Sequence, residues 1–260
     1  MKALKFNLSG ETAFFKDNSI NTVYLTYENI HRIALLGIFG AILGYSGYNK
    51  QIFSLAGEKK KKLEDIKTFP EFYEKLKDLK IAIVSNGNYG TFSKKIQSFN
   101  NGVGYASKEE GGNLIVKQFW LEKPSWDIYI LIDSILSEEL SSKILDRKSV
   151  YMPYLGSNDH FADIKKVELI EVEKISENED LLINSMLNLN VENNISLESC
   201  DKNFNFVNNA FKYSEYLPSA LTLETNQYIK NKMLITNMYV SNIDSPIYYD
   251  RTNNKNVIFY

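Results

Sequence analysis

Residues 31–47 read HRIALLGIFGAILGYSG, an apolar run in which Gly37, Gly40, Gly44 and Gly47 fall at intervals of three and four. Ile30, Ala34, Leu35, Ile38, Ala41 and Ile42 recur on similar intervals, the period of a helix that buries one face. Asn29 stands where an N-cap is needed, and the helix is expected to end between Gly44 and Gly47. Glycine inside a helix costs about 1 kcal/mol relative to alanine. Gly37, Gly40 and Gly44 therefore need a reason, and their alignment on one stripe suggests close approach by a second backbone. That backbone is either the chain's own sheet or a bound strand near the helix ends. Just ahead of the glycines, His31 and Arg32 offer a charge or a hydrogen bond to phosphate, although Arg32 equally suits a surface ion pair. The apolar run from Ile33 to Tyr45 is too short and too rich in glycine to span a membrane.

Strand and helix signals alternate around this run. Leu4, Phe6 and Leu8 alternate with Lys5 and Asn7, the period of a half-buried strand, until Ser9-Gly10 breaks it. Glu58 to Asp65, with four lysines at 59–62, reads as a charged solvated segment leading to a short helix at Pro70 to Leu79. Strands are expected at Leu79 to Val84, Gly112 to Leu121, Trp126 to Asp133 and Lys166 to Val172. A helix at Ser137 to Leu145 would be capped by Ser137, with Glu138 and Glu139 in its first turn.

Gly87, Gly90, Gly102, Gly104 and Gly111 punctuate a stretch too long for a turn and too polar for a helix, so a projecting hairpin or flexible loop is expected. The order suits an α+β fold. Residues 1–174 would form a ferredoxin-like (RRM-like) domain with an inserted β-hairpin thumb near 86–112. Ile175 to Asn209 is acidic and then asparagine-rich, which suggests long irregular loops. Lys232 to Val240, Ile247 to Tyr249 and Val257 to Tyr260 then read as a small C-terminal β subdomain, making 175–260 a second unit.

Composition narrows the chemistry. At 260 residues and 44% hydrophobic the chain can bury a core, which excludes general disorder. Its one cysteine, Cys200, cannot form an internal disulfide, no signal peptide is evident behind Met1, and a cytoplasmic location is expected. Two histidines, His31 and His160, with one cysteine fall short of a zinc ligand set, and neither a phosphate loop nor a Gly-x-Ser-x-Gly elbow is present. No metal, cofactor or hydrolytic centre is expected. Residues 1–130 carry 18 basic and 13 acidic groups against 12 and 19 in the remainder, so a polyanion would favour the first half. The 17 tyrosines and 15 phenylalanines can fill β-rich cores or stack on unpaired bases.

Three blocks carry a family likeness. The first is His31 to Tyr45 behind a strand ending in Ser9-Gly10 and followed by Ala13-Phe14. The second is Tyr151-Met-Pro-Tyr-Leu155-Gly156-Ser-Asn158-Asp-His-Phe161-Ala162, and the third is Ile247-Tyr-Tyr-Asp250 with Asn256-Val-Ile-Phe259. Together they span nearly the whole chain. In these blocks the chain resembles the fifth family of CRISPR-associated proteins, its type I-B branch above all, within the RAMP superfamily of RNA-binding proteins built on ferredoxin-like domains.

The resemblance implies a non-catalytic subunit of a Cascade surveillance complex in antiviral defence. Such a subunit holds the repeat-derived 5′ handle of crRNA and caps one end of the backbone. Its partners would be the crRNA, a backbone subunit and the large subunit, with target DNA met indirectly through the complex and no membrane involved. The hairpin would be the gripping thumb: Lys94, Lys95 and Lys108 can neutralise phosphate, while Tyr89, Phe92 and Tyr105 offer stacking faces. Arg32, His31, Lys16, Tyr48, Lys50 and Lys117 complete the expected RNA surface.

Resembling proteins of the type I-C branch are metal-independent endoribonucleases that process precursor crRNA. They use a tyrosine near the end of the first helix and a Lys-His pair beside the hairpin. The nearest positions here are Tyr45 or Tyr48 and Lys117-Gln118, and glutamine cannot titrate. Binding without catalysis is therefore expected. Cleavage is the alternative, open to His31 if folding brings it within hydrogen-bond reach.

Overall fold

The computed structural model describes residues 1–19, 23–56, 67–102, 108, 113–175 and 181–260. The lysine run at 59–62 and Tyr105 lie outside the described residues. The strands in chain order are β1 (Lys2–Ser9), β2 (Thr12–Ala13), β3 (Ile81–Ser85), β4 (Lys94–Gly102), β5 (Asn113–Glu122), β6 (Ser125–Leu131), β7 (Asp163–Ile175) and β8 (Leu181–Leu182). They continue as β9 (Leu187–Asn188), β10 (Ser196–Glu198), β11 (Lys212–Leu221), β12 (Tyr228–Thr236), β13 (Tyr239–Ser241), β14 (Ile247–Asp250) and β15 (Lys255–Ile258). The helices are α1 (Arg32–Leu43), α2 (Tyr48–Ala56), α3 (Glu71–Leu76) and α4 (Ile135–Leu145).

The fold is mixed α/β and mostly sheet. Its main sheet has six strands in the order β15-β14-β7-β1-β6-β3, all neighbours antiparallel. At the open edge, Ile81 of β3 and Tyr260 just beyond β15 exchange backbone hydrogen bonds of 3.3 and 3.0 Å, so the sheet curls into a nearly closed barrel.

Strand alternation explains how this sheet serves two cores. Leu4, Phe6 and Leu8 on β1 pair with Ile130, Ile128 and Trp126 on β6, and this face packs against α1, α3 and α4 in the principal core. The intervening Ala3, Tyr129, Leu131, Ala82 and Val84 point the other way and join Ile170, Val172 and Val257 in a second core.

The C-terminal strands, expected as a subdomain of their own, continue the main sheet: β14 pairs with β7 along Ile247 to Asp250. The hairpin of β11 and β12 likewise places Leu217, Leu221, Met233 and Ile235 in the principal core with α1. Within the asparagine-rich stretch, β8 and β10 flank β13, and β9 pairs with β12.

Helix α1 is capped by His31 rather than Asn29. His31 is extended, and its Nδ1 accepts from the Ala34 N–H at 3.2 Å. Asn29 is diverted into the core, where its Nδ2 donates to the Gly90 carbonyl (2.9 Å) and its Oδ1 accepts from Ser85 Oγ (2.9 Å) and Trp126 Nε1 (3.1 Å). Helix α4 starts two residues before the expected point. Ser134 is its cap, and Ser137 becomes the reciprocal member of a capping box.

The three helix glycines serve different ends. A Cβ on Gly40 would stand 2.7 Å from the Phe72 Cβ, so this glycine admits α3 rather than the sheet. Gly44 ends α1 in the left-handed region at φ +88°. A Cβ on Gly37 would meet nothing within 4 Å.

Candidate nucleic-acid interface

A groove of about 870 Å³ runs along the open side of α1. Ala34, Gly37 and Ala41 supply the helix side, and Gly47, Tyr48 and Lys50 extend it at the start of α2. The segment after β2 adds Phe14, Phe15 and Lys16, and the loop after α4 adds Tyr151, Met152 and Tyr154.

Local bonding explains why that loop stays against the helix. Its Val150 and Tyr151 amides donate to the Ile42 and Ala41 carbonyls at 3.1 and 3.0 Å, satisfying acceptors left over at the end of α1. On its other side the Leu155 carbonyl accepts from Phe14 N at 3.0 Å. Gly156 follows at φ +92°, and a Cβ there would lie 1.8 Å from the Phe14 carbonyl oxygen, so only glycine fits. The first two sequence blocks, distant in the chain, thus border one groove.

Its chemistry is aromatic with a cationic margin. Tyr151, Met152 and Tyr154 are exposed, an unusual concentration of large side chains in one loop. Tyr48 packs edge-on against Phe72 at 5.7 Å, and burial pushes its phenol upward, so it presents a neutral ring. Lys16 holds its Nζ 4.1 Å from the Tyr24 ring centroid, and Lys50 is exposed. Beside Gly37 and Gly47 there is room that, among the described residues, no atom from elsewhere in the chain fills.

Two of the expected phosphate ligands are turned away from solvent. Arg32 is turned inward, donating to the carbonyls of Lys77 and Leu79, both at 2.7 Å, and to that of Tyr260. Its charge is consumed in holding loop ends together. His31 is buried edge-on among Tyr27 (5.4 Å), Tyr228 (5.6 Å) and Phe15 (6.0 Å). Burial, aided by the charge of Lys230, pushes its imidazole down to about 3, so it stays neutral.

The hairpin exists, with β4 and β5 paired from Lys94↔Leu121 to Gly102↔Asn113, but its expected grip is dispersed. Lys94 is ion-paired to Glu28. Lys95 lies opposite Trp120, its Nζ 5.6 Å from the ring, whereas Lys117 lies opposite Ser98 on the other face. Lys108 is exposed. Tyr89 precedes the hairpin, edge-on to Phe211 at 5.5 Å, and Phe92 packs on Trp126 at 5.1 Å, so neither projects with it. Of the expected residues, Lys16, Tyr48 and Lys50 are brought together in the groove, with His31 at its base.

Tyr151, Tyr154 and Tyr228 were missed by residue-level reasoning. The first two flank Pro153 in a block already singled out, which was the available signal; Tyr228 comes from β12 and carried none. The second histidine, His160, is also buried: its Nδ1 lies 2.6 Å from Thr12 Oγ1 and its ring is edge-on to Trp120 at 4.6 Å.

Fold and groove together define a mixed α/β protein with an aromatic cleft bordered by lysines. No protein-family model matches the sequence, and no curated protein matches it. Among solved structures, the chain is similar to part of a CRISPR RNA-guided surveillance complex, with TM-score 0.48 and 11% identity over 93% of this chain and 92% of that one. It is also similar to a CRISPR protein from Archaeoglobus fulgidus (TM-score 0.47, 9% identity, 99% and 98% covered). A chain of the Type III-B Cmr-beta complex bound to cognate target RNA and AMPPnP gives TM-score 0.46 and 12% identity over 93% and 86%.

Proposed function

We propose that this chain is a non-catalytic subunit of a type I-B CRISPR surveillance complex that holds the 5′ handle of crRNA and caps the backbone. The observation that carries this is the meeting of the first two family-like blocks at one groove rich in exposed tyrosine and edged by Lys16 and Lys50. Single-stranded RNA is bound by that combination: rings for unstacked bases, cations for phosphate. The ferredoxin-like part of the reading is supported by the order β7-β1-β6-β3, with α1 and α4 in the crossovers. The non-catalytic part is supported by burial of both histidines.

Fluorescence anisotropy with a single-stranded repeat RNA tests it. Affinity is expected to fall steeply with salt, and Lys16→Ala with Lys50→Ala to flatten the log–log slope by about 1.4, at roughly 0.7 per phosphate contact. Salt-independent binding would count against the groove. Metal-free cleavage of repeat RNA that is lost in Tyr45→Phe or Tyr48→Phe would overturn the non-catalytic assignment.

A further inference from the structure

The connection between β10 and β11 forms an arm with its own framework of hydrogen bonds. At its base Asn237 Nδ2 donates to the Asn208 and Asn209 carbonyls at 3.3 and 3.2 Å, and its Oδ1 accepts from Phe211 N at 2.8 Å. Thr236 Oγ1 donates to the Phe211 carbonyl at 2.6 Å. Farther out the chain doubles back on itself. Val207 N donates to the Ser199 carbonyl at 2.8 Å, Cys200 and Phe206 form a bridge, and Asp201 N donates to the Asn205 carbonyl at 3.2 Å. The Asp201 carboxylate closes the tip: Oδ1 accepts from the Asn203 and Asn205 amides and Oδ2 from Asn205 Nδ2, all at 2.8 Å.

So braced, the tip does not turn its rings inward. Phe204 is 77% exposed and Phe206 70%, the two most exposed aromatic side chains among the described residues. Neither joins a hydrophobic core cluster. Phe204 sits at φ +60°, a conformation that disfavours a bulky residue and that asparagine or glycine would adopt more readily. The turn itself therefore has no need of phenylalanine there. Together the two rings leave about 300 Å² of mostly apolar surface in water, a patch of the size that marks contact with another molecule.

We propose that this arm is a docking knob for a protein, and that Phe204 and Phe206 enter an apolar pocket on a neighbouring subunit of the complex. A nucleic-acid strand suits the arm less. Between Ser196 and Ala210 the charged residues are Glu198, Asp201 and Lys202, which sum to −1, and Lys202 already has a partner in the chain. A strand needs cations for its phosphates. What flanks the rings instead is amide, from Asn203, Asn205 and Asn208, all exposed. Aromatic anchors inside a polar, weakly charged rim are the composition of a protein interface. A knob already held in shape also has little freedom to lose on docking. None of residues 196–210 lines the groove, so RNA and a partner need not compete. That the pocket belongs to a subunit of the same complex rests on the proposed function.

The test is assembly of this chain with the backbone and large subunits of its complex and guide RNA, read by co-elution. For Phe204→Ser with Phe206→Ser the share of the chain recovered in the complex is expected to fall about tenfold. Its melting temperature by circular dichroism and its affinity for single-stranded RNA by anisotropy should stay unchanged. A lowered melting temperature would make the rings structural, and weakened RNA binding would make them stacking platforms; either overturns the proposal. Benzoylphenylalanine placed at position 204 supplies a direct reading in the assembled complex. It should photo-crosslink to another protein subunit, and an adduct only with RNA or with a second copy of this chain overturns the proposal. Undiminished co-elution of the double variant overturns the knob and leaves the proposed function standing. If the unaltered chain joins neither subunit, the proposed function falls and takes this inference with it.

Discussion

Replacing Gly37 by alanine should move stability and binding in opposite directions. The residue lies inside α1, where alanine is favoured over glycine by about 1 kcal/mol. Among the described residues, no atom beyond the helix's own backbone and the chain neighbours lies within 4 Å of the added Cβ, so no clash offsets this gain. For a chain of this size 1 kcal/mol corresponds to roughly 2–4 °C in Tm. The same methyl intrudes on the helix side of the groove, where the proposed function has a base or sugar lying close to the backbone. A loss of about 1.4 kcal/mol, tenfold in Kd, is expected for single-stranded RNA. Thermal melting monitored by circular dichroism gives the first quantity and anisotropy the second, on one protein preparation. A glycine kept for packing would yield a destabilised variant, as Gly40→Ala should against Phe72. A stabilised variant with unaltered RNA affinity would refute the groove as the binding site.

Arg32→Met should cost about 3 kcal/mol in urea unfolding, because three carbonyls lose a charged donor at once; unchanged stability with weakened RNA binding would return Arg32 to the phosphate role. Acid should unfold the protein partly through His31, whose lowered value makes its contribution complete above its ordinary 6.5 and lost as pH falls towards about 3. His31→Asn keeps a capping acceptor and should flatten that limb in melts taken from about pH 4 to 8. Glu215 works in the opposite sense. Burial first, then the charges of Glu28 and Asp17, outweigh the Glu28 N–H bond and Lys94 and raise it from 4.5 to about 7. Its contribution, present below 4.5, is therefore lost as pH rises through 7. Glu215→Gln should remove that decline, and an unaltered slope between about pH 5 and 7 would refute the assignment.

Local periodicity made several elements legible within a residue or two: the alternation of Leu4, Phe6 and Leu8, the helix ending at Gly44, and the runs that became β3 and β6. What escaped depends on partners remote in sequence. Asn29 has the right chemistry for a cap, but Gly90, Ser85 and Trp126 claim its amide first. Lys94 looks free until folding sets Glu28 beside it. The C-terminal strands look self-contained because nothing in residues 247–258 signals that β7 offers them an edge. The groove was legible in part: both blocks were visible, but neither announced that the other would stand beside it.

The loop after α4 is tied to the last carbonyls of α1 at Val150 and Tyr151 and pinned again where Gly156 abuts Phe14. Jaws fastened in this way work like a caliper set to one thickness. On the proposed reading, such jaws would meet a strand without reshaping themselves, and the ordering that binding requires would fall on the RNA rather than on this loop.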